Sequence, residues 1–104
     1  MRAVAAVLLL LATVHTAEAG TVADTEALAI VNRHCVMCHA TNPTHESFRD
    51  APKNVVLETV DDLKKHAVTI YVQTVQTRAM PLGNQTEMSE DERGVLGRWL
   101  RGLP

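Results

Sequence analysis

The stretch "RHCVMCHAT" (residues 33–41) holds both cysteines of this 104-residue chain. Cys35 and Cys38 are separated by two residues, and His39 follows the second cysteine directly. A disulfide between them would close a very short loop, and such a loop restrains the unfolded chain only weakly. The chemistry of the motif must therefore matter more to this small chain than its value as a crosslink.

Three chemistries use a C-x-x-C pair. A thioredoxin-like redox pair needs a βαβ context, and no alternation of strand and helix patterns is present. A zinc site needs four ligands, and the chain lacks the H-x(3–5)-H spacing of a zinc finger. The further zinc ligands would have to come from His34, His39, His45 or His66. In a C-x-x-C-H motif, Cys35 and Cys38 form thioethers with haem c and His39 binds the iron. The motif favours haem, with zinc or a plain disulfide as alternatives.

The N-terminus has the features of a secretory signal peptide. Arg2 precedes an apolar run from Ala3 to Val14, and Ala17-Glu18-Ala19 provides an A-x-A cleavage site before Gly20. The run is well short of the roughly 20 residues that span a bilayer as a helix. We therefore predict a cleaved signal peptide over residues 1–19, a single domain over residues 20–104 and a periplasmic location. An uncleaved membrane anchor is the alternative.

Composition narrows the possible partners. Cleavage would remove Arg2 and Glu18, leaving 9 basic and 11 acidic residues and a net charge of −2. No basic stripe is present to neutralise phosphates, so nucleic acid is not an expected partner. We expect a monomer with no membrane span after cleavage. Its core is thin, because small domains bury a modest fraction of their surface and this one has few aromatic residues. A haem would supply the missing apolar bulk.

The periodicity predicts an all-α fold with three main helices. The first spans residues 24–34, capped by Thr21 or Asp24, and leads directly into Cys35. The second begins at Thr59 with Asp62 as its capping-box partner and should end near Thr77.

The third helix opens with Ser89 and Glu92, another capping box. Gly94 and Gly97 lie inside it, and glycine in a helix often marks the close approach of another backbone. The segment 40–58 reads as an irregular loop with at most a short helical turn, and no pattern indicates a sheet.

The opposite face of a haem iron needs a ligand or an open position for substrate. In "TRAMPLGNQT" (residues 77–86), Met80 precedes Pro81 in a stretch without helical periodicity. Proline stiffens the local backbone, so we predict Met80 as the second axial ligand. Met88 is its nearest rival, although it is better explained as packing against the third helix. Met37 is tethered too close to the cysteines, and His45 and His66 are interpreted as solvated.

These features together resemble a known family. A C-x-x-C-H motif after an N-terminal helix, a Met-Pro loop and a terminal helix with Trp99 resemble a class I monohaem cytochrome c over almost all of the mature chain. A more specific similarity lies in "APKNVVLET" (residues 51–59), in "TRAMPLGNQTEMSEDERGVLGRW" (residues 77–99) and in the attachment loop. These stretches resemble the C-terminal cytochrome c domain of bacterial membrane-bound urate oxidases, the urate hydroxylases, but the chain lacks their membrane-spanning catalytic portion.

The resemblance implies a cytochrome c-like fold, with three helices and loops around one covalent haem. It implies electron transfer rather than enzyme activity, between a donor oxidase or dehydrogenase, that of urate degradation included, and a respiratory acceptor. The first and last helices would then cross at Gly97 against Trp99, and the carbonyl of Pro52, or alternatively Pro43, would accept from His39.

With His39 and Met80 bound, the iron would be six-coordinate and suited to electron transfer. The alternative function is a haem enzyme or a gas or redox sensor with an open distal position. Arg78 is a candidate partner for a haem propionate or else is solvated. Asn84 and Thr86 are candidates for bracing the Met80 loop by side-chain to backbone bonds, or else are simply turn residues.

Overall fold

The computed structural model describes residues 3–6 and 21–104. The predicted signal peptide over residues 1–19 lies almost entirely outside the described residues. From Thr21 onward the chain is all-α, and no strand is present in the described ranges. The elements, in chain order, are helix α1 (Asp24–His34), a 3-10 turn (Pro52–Asn54), α2 (Val60–Lys65), α3 (Ala67–Tyr71), a π-helical turn (Val72–Gln76), a second 3-10 turn (Leu82–Asn84) and α4 (Glu90–Arg101).

Helix α1 has the predicted bounds but not the predicted cap. Its N-cap is Ala23, which offers no side-chain hydrogen bond, so neither Thr21 nor Asp24 caps the helix. The Asp24 carboxylate instead accepts a 2.9 Å hydrogen bond from the indole N–H of Trp99. This bond joins the start of α1 to the end of α4, and it uses the polar edge of a ring that is otherwise buried.

The second predicted helix is present but interrupted. Thr59 and Asp62 form the predicted capping box, in which each side chain accepts from the backbone N–H of the other residue. The backbone of His66 departs from helical geometry (φ −103°, ψ 17°) and separates α2 from α3. After α3 the chain continues as the π-helical turn. The apolar residues keep helical spacing across both the break at His66 and the π-helical turn. The sequence pattern therefore does not reveal either irregularity.

Helix α4 begins with the predicted capping box between Ser89 and Glu92. The expected role of Gly97 at a crossing with the first helix is wrong. A Cβ at Gly97 would lie 3.4 Å from the side chain of Val75, in the π-helical turn, and 3.3 Å from Arg101. Gly97 therefore faces the turn, and a Cβ there would fill the space up to Val75 and crowd the end of the Arg101 side chain.

The core lies between α1, α2, α3 and α4. Leu63, Leu96 and Val31 are its largest fully buried side chains, and Trp99 and Met88 are each 4% exposed. Met88 is part of the buried core cluster, which also contains Leu96, Trp99 and Leu100 of α4. No helix within the described residues is both long and apolar enough to cross a membrane.

Candidate cofactor site

One cavity is lined by the residues that the C-x-x-C-H and Met-Pro motifs predict to bind a cofactor. It has a volume of about 370 Å³, and its walls include Cys35, Cys38, His39 and Met80. The first three come from the end of α1 and the fourth from the loop before α4, 41 positions beyond His39. The fold therefore brings the two predicted halves of the site together around a single space.

The C-x-x-C-H side of the cavity is built by local backbone bonds. The N–H of Cys35 closes α1 by donating to the carbonyl of Val31 at 2.8 Å, and the N–H of His39 donates to the carbonyl of Cys35 at 2.8 Å. The N–H of Cys38 donates to the same Cys35 carbonyl at 3.2 Å. These bonds fold the C-x-x-C-H residues into one tight turn, so the two thiols and the imidazole all reach the cavity.

The thiols have the properties of unreactive cysteines. Burial, with a smaller contribution from the charge of Cys38, raises the pKa of Cys35 to about 12. Burial also raises the pKa of Cys38. The two sulfurs do not form a disulfide. A redox-active C-x-x-C pair needs a lowered thiol pKa, because the thiolate is the reacting species. This environment therefore counts against the thiol-redox interpretation.

The zinc interpretation lacks a ligand set in the described part of the chain. No group of three or more His, Cys, Asp and Glu side chains there is close enough together to hold a metal ion. A structural zinc site needs four such ligands in a tetrahedron. The two cysteines and His39 therefore have no zinc-binding partners among residues 3–6 and 21–104.

The imidazole of His39 is oriented from behind. Its Nδ1 lies 2.8 Å from the carbonyl oxygen of Val55, and since a carbonyl can only accept, the proton must be on Nδ1. In the neutral imidazole with this tautomer, Nε2 carries the lone pair that a metal-binding imidazole needs. The expected acceptor, Pro52 or alternatively Pro43, is wrong. The carbonyl of Pro52 closes the 3-10 turn by accepting from the N–H of Val55 at 3.1 Å, and it is the carbonyl of Val55 that contacts His39.

The Met80 side is braced by side chains. Asn84 brackets the backbone of Met88, accepting from its N–H at 3.0 Å and donating to its carbonyl at 3.3 Å. The role predicted for Asn84 is therefore confirmed. Thr86 contacts no backbone group of the loop; its hydroxyl lies 2.8 Å from Nδ1 of His34 and so ties the loop to the end of α1.

A polar cluster that the motif analysis missed joins α1 to α4. Nε2 of the buried His34 lies 2.7 Å from the carboxylate of Glu92, and Arg33 donates to the same oxygen at 3.0 Å. Partial burial raises the pKa of Glu92, but the bonds from the Ser89 backbone, His34 and Arg33 outweigh it and lower that pKa to about 2. The sequence offered one signal, a basic pair directly before Cys35, but nothing in the spacing linked it to the capping box.

Other candidates differ in their placement. His45 is half-buried on the cavity wall and accepts from the N–H of Ser47 at 3.1 Å in an exposed hydrogen bond. Met37 also borders the cavity, whereas Met88 and His66 do not. Arg78 is exposed and forms an ion pair with Glu90.

The donor set and the wall suit a haem. Two thiols, an imidazole with a free lone pair and a thioether sulfur share one cavity, and haem c uses these same groups. Much of the remaining wall is apolar, as a porphyrin requires, and includes Phe48, Pro52, Pro81 and Leu82. The volume lies within the range of roughly 300–1,000 Å³ typical of ligand sites.

Comparisons of the chain with protein-family models, curated proteins and solved structures found no match.

Proposed function

We propose that this protein is a periplasmic c-type cytochrome with a cytochrome c-like fold, which carries single electrons through a covalently attached haem ligated by His39 and Met80. One observation carries the proposal: the C-x-x-C-H residues and a methionine 41 positions away line the same largely apolar cavity. When bound, haem iron supplies one-electron chemistry by cycling between the ferric and ferrous states.

Each residue of the site has a distinct role in this proposal. Cys35 and Cys38 would tether the group through thioethers, and His39, held by the Val55 carbonyl, would provide a preoriented imidazole ligand. Met80 would provide a second ligand through its sulfur. Two protein ligands would leave no open position for oxygen or peroxide, and a thioether ligand raises the reduction potential. The residues therefore favour electron transfer over catalysis on a bound substrate.

Covalent attachment is the first test. The full chain, including its predicted signal peptide, should be expressed so that the host can export it. The protein is then purified, denatured and separated by electrophoresis. Haem that stays with the polypeptide, with the corresponding mass increase, is the expected result. A polypeptide free of haem, despite an active attachment system in the host, would overturn the proposal.

The second test distinguishes a closed coordination sphere from an open one. Ferric wild-type protein should show a sulfur-to-iron charge-transfer band, which Met80→Ala should remove and Met88→Ala should leave in place. Loss of the band in Met88→Ala instead would assign the ligand to Met88. Rapid binding of carbon monoxide by the intact ferrous protein would favour the alternative function, a haem enzyme or a gas or redox sensor.

The electron donor is a finer part of the proposal. The similarity of residues 77–99 to the cytochrome domain of urate hydroxylases supports an oxidase or dehydrogenase of purine degradation as the donor, and a respiratory protein as the acceptor. Ferric holoprotein mixed with membranes that contain a urate hydroxylase lacking its own cytochrome domain should become reduced when urate is added. No reduction above the rate without urate would exclude this donor.

A further inference from the structure

A buried arginine of α4 lies against the Met80 loop. Arg93 is only 7% exposed, and one of its terminal nitrogens, Nη1, donates to the carbonyl oxygens of both Thr74 and Met80 at 2.8 Å. Its other terminal nitrogen, Nη2, lies 3.4 Å from the side-chain oxygen of Asn84. Within the described ranges no carboxylate forms an ion pair with Arg93. A buried charge is normally paired, so a guanidinium held only by neutral oxygens requires an explanation.

The π-helical turn provides backbone carbonyls that accept hydrogen bonds from both Met80 and Arg93. Near the end of a helix the last carbonyls have no partner inside the helix. Here the carbonyl of Gln73 accepts from the N–H of Met80 at 2.9 Å, and the next carbonyl, that of Thr74, accepts from Arg93. Met80 is therefore held by both of its backbone polar groups, its N–H by the turn and its C=O by the arginine.

We propose that Arg93 is a positioning residue for Met80, and that its buried charge also raises the reduction potential of the site. The inference rests on the proposed function. By fixing the carbonyl of Met80, Arg93 limits how far the loop can withdraw the sulfur. A fixed positive charge opposes the additional positive charge of ferric iron, and the low dielectric of the interior strengthens the effect.

The test compares Arg93→Met and Arg93→Lys with Arg98→Met in the holoprotein. Arg98 is an exposed arginine of the same helix, so its replacement removes an equal charge without touching the Met80 loop. Two quantities are measured: the affinity of the ferric protein for imidazole, which competes with Met80, and the reduction potential. Neither quantity should change if Arg93 only stabilised the fold.

In Arg93→Met we expect imidazole to bind at least about tenfold more tightly, the order of one lost charged hydrogen bond, and the potential to fall. Arg93→Lys should keep most of the potential but bind imidazole more tightly than wild type, because one ammonium cannot reproduce the planar guanidinium. Arg98→Met should match wild type in both measurements.

Wild-type imidazole affinity and potential in a haem-containing Arg93→Met protein would overturn the inference. If Arg93→Met does not fold, Arg93→Lys decides the positioning role, since wild-type imidazole affinity in that variant would overturn it. A wild-type chain that carries no covalent haem would overturn the proposed function instead, so the two failures are distinguishable.

Discussion

The two sides of the cavity are built in different ways. On the C-x-x-C-H side, Cys35 and His39 are placed by backbone bonds within a few residues of each other, as a continuation of α1. On the other side, Met80 lies in a loop that adopts left-handed backbone angles at Arg78, Gly83, Asn84 and Glu87 (φ 47–59°). Such angles are unfavourable for most residues other than glycine and asparagine, so hydrogen bonds such as those from Asn84 and Arg93 must hold the loop. One side of the site is local in sequence and the other depends on the assembled fold.

The largest expected effect is on the local side. Cys35→Ser together with Cys38→Ser should abolish covalent haem attachment, because a hydroxyl does not replace the thiol in forming the thioether. Mass spectrometry of the denatured protein would measure it. Met80→Ala is the matched control from the other side, and it should keep covalent haem at the wild-type level. Loss of attachment in that control would mean that the two sides do not act independently.

The next effect concerns Asn84, which braces the Met80 loop. Asn84→Ala should lower the free energy of unfolding by roughly 2 kcal/mol, because it removes both bonds to Met88 and places alanine at a positive φ. Asn84→Gly removes the same bonds without the backbone strain, so it should cost less. Chemical denaturation of the two variants measures each part. Equal losses in both would show that strain contributes nothing at this position.

The sequence predicts those features of the structure that depend on residues close together in the chain. The bounds of α1, both capping boxes and the bracing role of Asn84 follow from signals within a few residues, and the structure has all of them. Two short motifs, C-x-x-C-H and Met-Pro, also identify four residues that the fold brings to one cavity, although neither motif contains tertiary information.

Contacts between residues far apart in the sequence could not be predicted in this way. The acceptor for His39 depends on how an irregular loop turns, and the turn selects Val55 over Pro52. A buried Arg93 cannot be told from a solvated arginine in a sequence, since its acceptors are backbone carbonyls that every residue carries. The same holds for the contact of Gly97 with Val75, which depends on a π-helical turn that has no distinctive apolar pattern.

Glu92 connects the two sides, and its effect should depend on pH. Its carboxylate, 22% exposed, contacts Arg33 and His34 at the end of α1, and these bonds with that from Ser89 lower its pKa from 4.5 to about 2. A carboxyl with a lowered pKa stabilises the fold above its unfolded-state pKa, and this stability is lost as the pH falls towards the folded-state value. Glu92→Gln should therefore cost about 1 kcal/mol near neutral pH, after allowance for solvent screening.

The difference between wild type and Glu92→Gln should shrink as the pH falls from about 4.5 to about 2. Urea denaturation at a series of pH values would measure it, with Asp91→Asn, an exposed carboxyl of the same helical turn, as the control. A difference that stays constant with pH would show that the ionised carboxylate is not what joins α1 to α4.

The smallest expected effect separates the two glycines of α4. A Cβ at Gly94 would meet only the end of the Arg98 side chain, at 3.5 Å, so alanine there should stabilise the protein by about 0.5–1 kcal/mol through its greater helix propensity. At Gly97 the same propensity gain is opposed by crowding against Val75, which belongs to the turn that holds Met80. Gly97→Ala should therefore gain less stability than Gly94→Ala and should alter the sulfur-to-iron band. Thermal unfolding and the absorption spectrum of the two holoproteins measure both effects, and equal gains with unchanged spectra would mean that Val75 yields without disturbing the Met80 side.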